Sequence, residues 1–130
     1  MSLVLVVEDE PGIAELFDAA LNDEGYRVQT AMNGKQGLEA LARERPDLVF
    51  CDYMMPVMDG AAMLDAMAVD PALQGIPVVM MSSMREVVVA QRCAGYASFL
   101  HKPFRLFELM DVVERLIGRG GNSPTPAPRH

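Results

Sequence analysis

The sequence is poor in several features that would each point to a class of protein. It has no tryptophan and only two cysteines among 130 residues. Neither cysteine belongs to a Cys-x-x-Cys or Cys/His spacing, which argues against a zinc site. Cys51 and Cys93 each lie among apolar residues, and we interpret them as small buried hydrophobes, with a disulfide or redox pair as the alternative.

Long apolar runs and basic clusters are also lacking. No apolar run exceeds Leu3–Val7, whereas a membrane-spanning helix needs roughly 20 apolar residues. The start, Met1-Ser2-Leu3, has no basic stretch or cleavage site of a secretory signal, so we expect a cytoplasmic protein without membrane insertion. The net charge of −7 argues against direct nucleic-acid binding. The excess of acids either serves solubility or concentrates carboxylates in a cation site.

Apolar runs of strand length alternate with segments of helical period. Stripes such as Ile13, Leu16, Phe17, Ala20 and Leu21 are typical of helices with one core-facing side. The alternation, repeated five times, predicts a doubly wound α/β fold, flavodoxin-like, with a five-stranded parallel sheet and helices on both faces. The predicted strands are 3–7, 26–30, 48–51, 77–81 and 98–101.

Two segments depart from this regular pattern. Residues 85–94 are predicted to be helical, but Val87-Val88-Val89 within them is a weak helix former. Residues 118–130 are rich in Gly and Pro and carry no apolar pattern, which predicts a disordered tail or linker. We therefore expect one folded domain over residues 1–117.

Groups that handle phosphate or a divalent cation follow four of the predicted strands. They are Glu8 and Asp9, Asp52, Ser82, and Lys102. Because ligands of parallel sheets bind beyond the carboxyl ends of the strands, these groups should meet in one cleft. Oxygen ligands without His or thiolate favour Mg²⁺. A carboxylate beside a metal ion and an ammonium is suited to attack a phosphoryl group.

Four stretches resemble the receiver domain of two-component response regulators. They are Val6–Glu10, Asp52–Gly60, Pro77–Ser83 and Lys102–Phe104, and the resemblance extends over residues 3–117. It implies a phosphorylation-controlled switch, in which Asp52 accepts a phosphoryl group from a sensor histidine kinase or a histidine phosphotransfer protein. Such a domain is not a turnover enzyme, because it catalyses only its own phosphorylation and autodephosphorylation.

The resemblance also implies a role for the groups around Asp52. Asp9 and Asp52 would ligate Mg²⁺ directly, together with the backbone carbonyl of Met54, while Glu8 would act mainly through water. Ser82 and Lys102 would contact phosphoryl oxygens.

Other residues take a role or a geometry from the same resemblance. The Lys102–Pro103 peptide bond is expected to be cis. Phe99 falls at the Tyr/Phe switch position of the family, with an ordinary strand aromatic as the alternative. Met54 and Met84 border the phosphoryl group, and we hypothesise that they hinder the attacking water and prolong the phosphorylated state.

Two neighbours of the site are assigned no chemical role. Asp59-Gly60 is interpreted as shaping the turn into the third helix. His101 is interpreted as a strand-end residue, because no second His or Cys lies at ligand spacing.

The sequence departs from the family between Ser82 and Lys102, where it has slightly fewer residues than is usual. We therefore expect a short, irregular or mobile fourth helix. The fourth helix, fifth strand and fifth helix form the face by which many receivers dimerise or hold partners, so a homodimer or a downstream protein would bind there.

Two other functions remain as alternatives. One is a Mg²⁺-dependent phosphatase or phosphotransferase, which would need a cap or substrate pocket. The other is an interaction module that is never phosphorylated. The Pro-rich C-terminal stretch fits both a stand-alone receiver and a fragment of a longer regulator.

Overall fold

The strands form one parallel sheet, as predicted. The computed structural model describes residues 2–118, and the strand order is β2-β1-β3-β4-β5. The strands are β1 (Leu3–Val7), β2 (Arg27–Ala31), β3 (Leu48–Asp52), β4 (Val78–Ser82) and β5 (Ser98–His101). The helices are α1 (Pro11–Asp23), α2 (Gly34–Arg43), α3 (Gly60–Ala68), α4 (Glu86–Ala90) and α5 (Leu106–Ile117), with a 3₁₀ turn at Pro71–Leu73.

The burial of the strands follows from their sequence. β1, β3 and β4 are buried at every position, as expected for continuous apolar runs covered on both faces. One apolar layer, containing Phe17, Phe50 and Leu109, lies on the α1 and α5 side. The other, containing Met63, Met80 and Val89, lies on the α2, α3 and α4 side. The more polar β2 lies at an edge of the sheet, as predicted.

The starts of α2 and α3 are fixed by side-chain caps. Asn33 Oδ1 accepts the Gln36 N–H at 2.9 Å at the start of α2. Asp59 Oδ1 accepts the Ala62 N–H at 2.9 Å at the start of α3. These short polar side chains satisfy N–H groups that have no partner inside the helix. Asp59 is therefore a capping residue, in agreement with the structural role expected for it.

The prediction that Leu16 faces the core is wrong. Phe17 and Leu21 on α1 are fully buried, whereas Leu16 is 46% exposed. Adjacent helical residues point about 100° apart, so Leu16 cannot share the direction of Phe17. It lies instead on the side of α1 that faces the cleft described below.

The fourth helix is short, which confirms the expectation drawn from the sequence. α4 has 5 residues, Glu86–Ala90, and only Val89 among them is buried. The predicted helical span of 85–94 was too long, because a valine-rich segment gains little from helix formation.

Other predictions meet different outcomes. Cys51 and Cys93 are both buried and free, which confirms their interpretation as hydrophobes. Most of the predicted tail, residues 119–130, lies outside the described residues. Within residues 2–118, no helix has the length and apolar character needed to cross a bilayer.

Candidate functional site

The structure brings the predicted site residues to one edge of the sheet. Val7 pairs with Cys51, Cys51 with Met80, and Ser82 with His101. This register aligns the carboxyl ends of β1, β3, β4 and β5. Each candidate site residue is either the last residue of one of these strands or lies just after it.

Three carboxylates form the acidic part of the site. Glu8, Asp9 and Asp52 each offer an oxygen, and these oxygens all lie within 4.8 Å of one another. Glu8 is 1% and Asp52 6% exposed, while Asp9 is half-buried. A cluster of carboxylate oxygens without His or thiolate fits a hard divalent cation such as Mg²⁺. Glu8 Oε2 also accepts the Glu10 N–H at 3.1 Å.

Lys102 lies between two of these carboxylates. Its Nζ is 2.7 Å from Glu8 Oε1 and 3.3 Å from Asp52 Oδ2. Burial works to lower the lysine pKa, but the hydrogen bond to Glu8 and the charge of Asp52 outweigh it, so the pKa is raised. The ammonium therefore stays charged and offsets part of the repulsion among the acids.

Asp52 has a pKa raised to about 7. Burial is the main cause and the negative charge of Glu8 adds to it, while Lys102 acts in the opposite direction. A buried carboxyl next to a second carboxylate is costly to ionise. A cation bound at the acids would favour the ionised form.

Ser82 is positioned by backbone hydrogen bonds on both sides. Its Oγ accepts the Met84 N–H at 3.0 Å, and its carbonyl accepts the Lys102 N–H at 2.8 Å. Because the hydroxyl oxygen acts as acceptor in the first bond, that bond does not use the hydroxyl hydrogen. Ser82 is thus a donor held at the same edge as Asp52.

The loop between β3 and α3 is tightly built. A Cβ on Gly60 would lie 2.5 Å from the Asp52 carbonyl oxygen and 2.9 Å from Tyr53 Cα, so only glycine fits against this backbone. Val57 has φ of 69°, and the Met58 N–H donates to the Pro56 carbonyl at 2.7 Å. This is a γ-turn with positive φ, a rare and strained conformation.

The site opens into a cavity of about 500 Å³, called here the cleft. Asp9, Asp52, Ser82, Lys102 and Met54 are among its lining residues, as the sequence predicted. Sequence reasoning missed the rest of the lining. The missed residues are Glu10, Ile13, Leu16, Ser83, Pro103 and Phe104. Adjacency to a strand end could have indicated Ser83 and Phe104, but no signal in the sequence indicated Leu16.

The residues predicted to modulate the site are only partly brought to it. Met54 is 64% exposed and lines the cleft. Met84 and Phe99 are half-buried against the core on the α3 and α4 side, and neither lines the cleft. His101 is an exposed strand-end residue, as predicted. The Lys102–Pro103 bond is cis, as predicted.

An interaction that the sequence did not suggest lies next to Phe99. The ring of Tyr96 is 6.3 Å from that of Phe99, and the Tyr96 hydroxyl donates to Glu86 Oε2 at 3.0 Å. Burial and this hydrogen bond raise the pKa of Tyr96 to about 12. The contact links the start of α4 to the segment leading into β5.

Fold and site together define an α/β domain built to handle a phosphoryl group at the carboxyl edge of its sheet. The family model of the response regulator receiver domain matches residues 4–114. The chain belongs to this family, and it is a receiver domain of two-component signal transduction, a phosphorylation-controlled switch.

Individual relatives agree with this assignment. The chain is 35% identical over 116 residues to sporulation initiation phosphotransferase F of Bacillus subtilis, covering 88% of this chain and 92% of that protein. It is 35% identical over 120 residues to the probable transcriptional regulatory protein TcrX of Mycobacterium tuberculosis, covering 91% of this chain. It spans only 50% of the latter, and about half the length of several other relatives.

A solved structure bears on the metal. The receiver domain of sensor histidine kinase PA1611 from Pseudomonas aeruginosa PAO1 has a magnesium ion coordinated in its active site cleft. It aligns with a TM-score of 0.83 at 28% identity, covering 90% of this chain and 98% of that one.

Proposed function

We propose that Asp52 is the phosphoacceptor of this receiver and that its donor is a phosphohistidine on a sensor histidine kinase or histidine phosphotransfer protein. The observation that supports this most is the position of Lys102, which bridges Glu8 and Asp52 inside a buried acidic cluster. An Asp52 oxygen attacks the phosphorus, the bond from phosphorus to the histidine nitrogen breaks, and the histidine keeps the electron pair.

The remaining groups act on the transferred phosphoryl group and on the metal. Asp9, Asp52 and the Met54 carbonyl would hold Mg²⁺, and Glu8 would act through water, since both its oxygens already have protein partners. When bound, the metal neutralises charge on the phosphoryl oxygens. Ser82 donates its hydroxyl and Lys102 its ammonium to other phosphoryl oxygens.

The output surface is proposed on the side formed by α4, β5 and α5. Exposed apolar side chains there support a homodimer or a downstream protein as partner: Val87 is 55%, Leu106 51% and Phe107 68% exposed. Phe99 would be the aromatic switch, and its neighbour Tyr96 bonds to α4 through Glu86. In this proposal the receiver is residues 1–117 and the residues from 118 onward are a tail or linker.

Phosphorylation by a small donor tests this function. With Mg²⁺ and acetyl phosphate, the protein should gain one acid-stable, base-labile phosphate, measured by intact mass. Asp52→Asn should abolish the gain. Asp59→Asn is the matched control, because it makes the same chemical change in the adjoining loop and asparagine still caps α3.

The other outcomes identify the competing functions. Continuous release of phosphate without a stable adduct would indicate a phosphatase. No modification and no release would indicate an interaction module. Labelling that persists in Asp52→Asn would place the acceptor elsewhere.

A further inference from the structure

The cleft has two chemically different parts. Its polar part includes Asp9, Asp52, Ser82, Ser83 and Lys102, which suit a phosphoryl group and its cation. Its other part is an apolar wall, which we define as Ile13, Leu16, Met54, Pro103 and Phe104. Both parts line one continuous cavity of about 500 Å³, a volume within the range of small-molecule sites.

Two residues of the apolar wall, Ile13 and Phe104, pack against the core. Phe104 packs edge-on against Phe17, with ring centroids 5.6 Å apart, and Phe17 packs against Phe50 at 4.9 Å. Phe17 and Phe50 are fully buried. Leu16 and Ile13 project from the first turns of α1 towards the same cavity. The part of the wall formed by Ile13 and Phe104 is therefore preformed, and an apolar group that contacts it loses little to rearrangement. Leu16 and Met54 are 46% and 64% exposed and free to adjust to the ligand.

Extending the proposed function, we propose that the cleft selects small acyl phosphates whose acyl group is larger and more apolar than acetyl. An acyl phosphate joins a phosphoryl group to a short hydrocarbon chain through an oxygen and a carbonyl carbon, which matches a cavity with a polar and an apolar part. An Asp52 oxygen attacks the phosphorus, the bond from phosphorus to the acyl oxygen breaks, and the carboxylate leaves with the electron pair. The hydrocarbon chain contacts the apolar wall during this transfer.

The size of the effect follows from burial of hydrocarbon. Each methylene buried in part or in full against the wall should raise the rate of phosphorylation at low donor concentration by about two- to four-fold. Butyryl phosphate has two methylenes more than acetyl phosphate, so its advantage should be about 4- to 16-fold. The two leaving carboxylates are chemically alike, so intrinsic reactivity does not account for such a difference.

The experiment compares three donors on the full chain with Mg²⁺: phosphoramidate, which has no acyl group, acetyl phosphate and butyryl phosphate. The rate of Asp52 labelling is followed by intact mass. The expected order places butyryl phosphate above acetyl phosphate. In Leu16→Ala and Ile13→Ala, the ratio of the butyryl to the acetyl rate should fall towards one.

Val69→Ala is the matched control, because Val69 is 81% exposed at the end of α3 and does not line the cleft. It should keep the butyryl preference. Equal rates for the two acyl donors would overturn the proposal. The apolar wall would then be interpreted as a contact surface for side chains of a protein donor. A preference that persists in both wall variants would also overturn the proposal. If phosphoramidate and both acyl donors all fail to label Asp52, the proposed function fails and this inference with it.

Discussion

Lys102 is held more closely by Glu8 than by Asp52, at 2.7 Å against 3.3 Å. Glu8 thus draws the ammonium towards itself and also adds a negative charge that raises the pKa of Asp52. We expect Glu8→Gln to lower the Asp52 pKa from about 7 by about one unit or more, because one acid is removed and Lys102 can turn to the other.

Carbon-13 NMR of the Asp52 carboxyl in metal-free protein measures this pKa. Glu10→Gln is the control, since Glu10 is exposed and is not among the groups that shift Asp52. An unchanged Asp52 pKa in Glu8→Gln would contradict the role assigned to Glu8.

Binding of Mg²⁺ should depend on pH through Asp52. The carboxyl has a pKa of about 7 and must be ionised to ligate a cation, so protons and metal compete below that pH. The apparent Kd for Mg²⁺ should rise about tenfold per pH unit below 7 and level off above 8. Calorimetric titrations between pH 5.5 and 8.5 measure it, and a Kd independent of pH across this range would refute the competition.

The stability of the metal-free protein should depend on pH through the same group. With a folded pKa of about 7 against an ordinary value of 3.8, the folded state binds more protons between these values. Stability from this group is therefore present at low pH and is lost as the pH rises towards 7. Asp52→Asn should stabilise the metal-free protein by about 1–3 kcal/mol at pH 8 and by little at pH 4. Urea denaturation at both pH values measures the difference, and a less stable variant at pH 8 would oppose this account.

The γ-turn at Val57 stores strain that glycine would release. Val57 has φ of 69° and is 77% exposed, so its side chain contributes little packing. Val57→Gly should stabilise the protein by about 1 kcal/mol, because glycine adopts this conformation without steric cost. Thermal or urea denaturation measures the change. Val69→Gly is the control: this exposed valine has φ of −96°, so the same substitution should destabilise the protein.

Met54 and Met84 should differ in their effect on the phosphorylated lifetime. Met54 lines the cleft, whereas Met84 packs against the core. Under the proposed function, Met54→Asn should shorten the half-life several-fold, because a polar side chain there can orient the attacking water. Met84→Glu should have the smaller effect. Loss of phosphate from Asp52 after donor removal measures both, and an unchanged rate in the double variant would reject the shielding hypothesis.

The sheet could be predicted because its central strands are continuous apolar runs between helical stripes, and burial on both faces leaves that pattern in the sequence. The convergence of Asp9, Asp52, Ser82 and Lys102 followed from this topology alone. The position of Leu16 at the cleft could not be predicted in this way. Apolar periodicity identifies the side of a helix that packs on the sheet, but it does not show where the sheet beneath that helix ends. The Glu8–Lys102 hydrogen bond joins residues that are 94 positions apart in the sequence. Sequence spacing does not show whether Lys102 lies closer to Glu8 or to Asp52.

The turn at Val57 and the contact of Tyr96 escaped prediction for another reason. Positive φ is normally marked by glycine or asparagine, and here a β-branched residue adopts it. Tyr96 is an isolated aromatic that belongs to no periodic apolar pattern, so nothing in the sequence indicated its hydrogen bond to Glu86.

The brevity of α4 has an energetic consequence for signalling. A single helical turn has almost no stability of its own, and here it is anchored to the core by one buried residue, Val89. Segments with so few buried contacts open at low free-energy cost. Under the proposed function, a second arrangement of this segment would cost little free energy to reach, and a small difference in affinity between the two would be enough to shift their populations. Phosphorylation would then have to supply little free energy to change this surface, because α4 has only one buried residue to release.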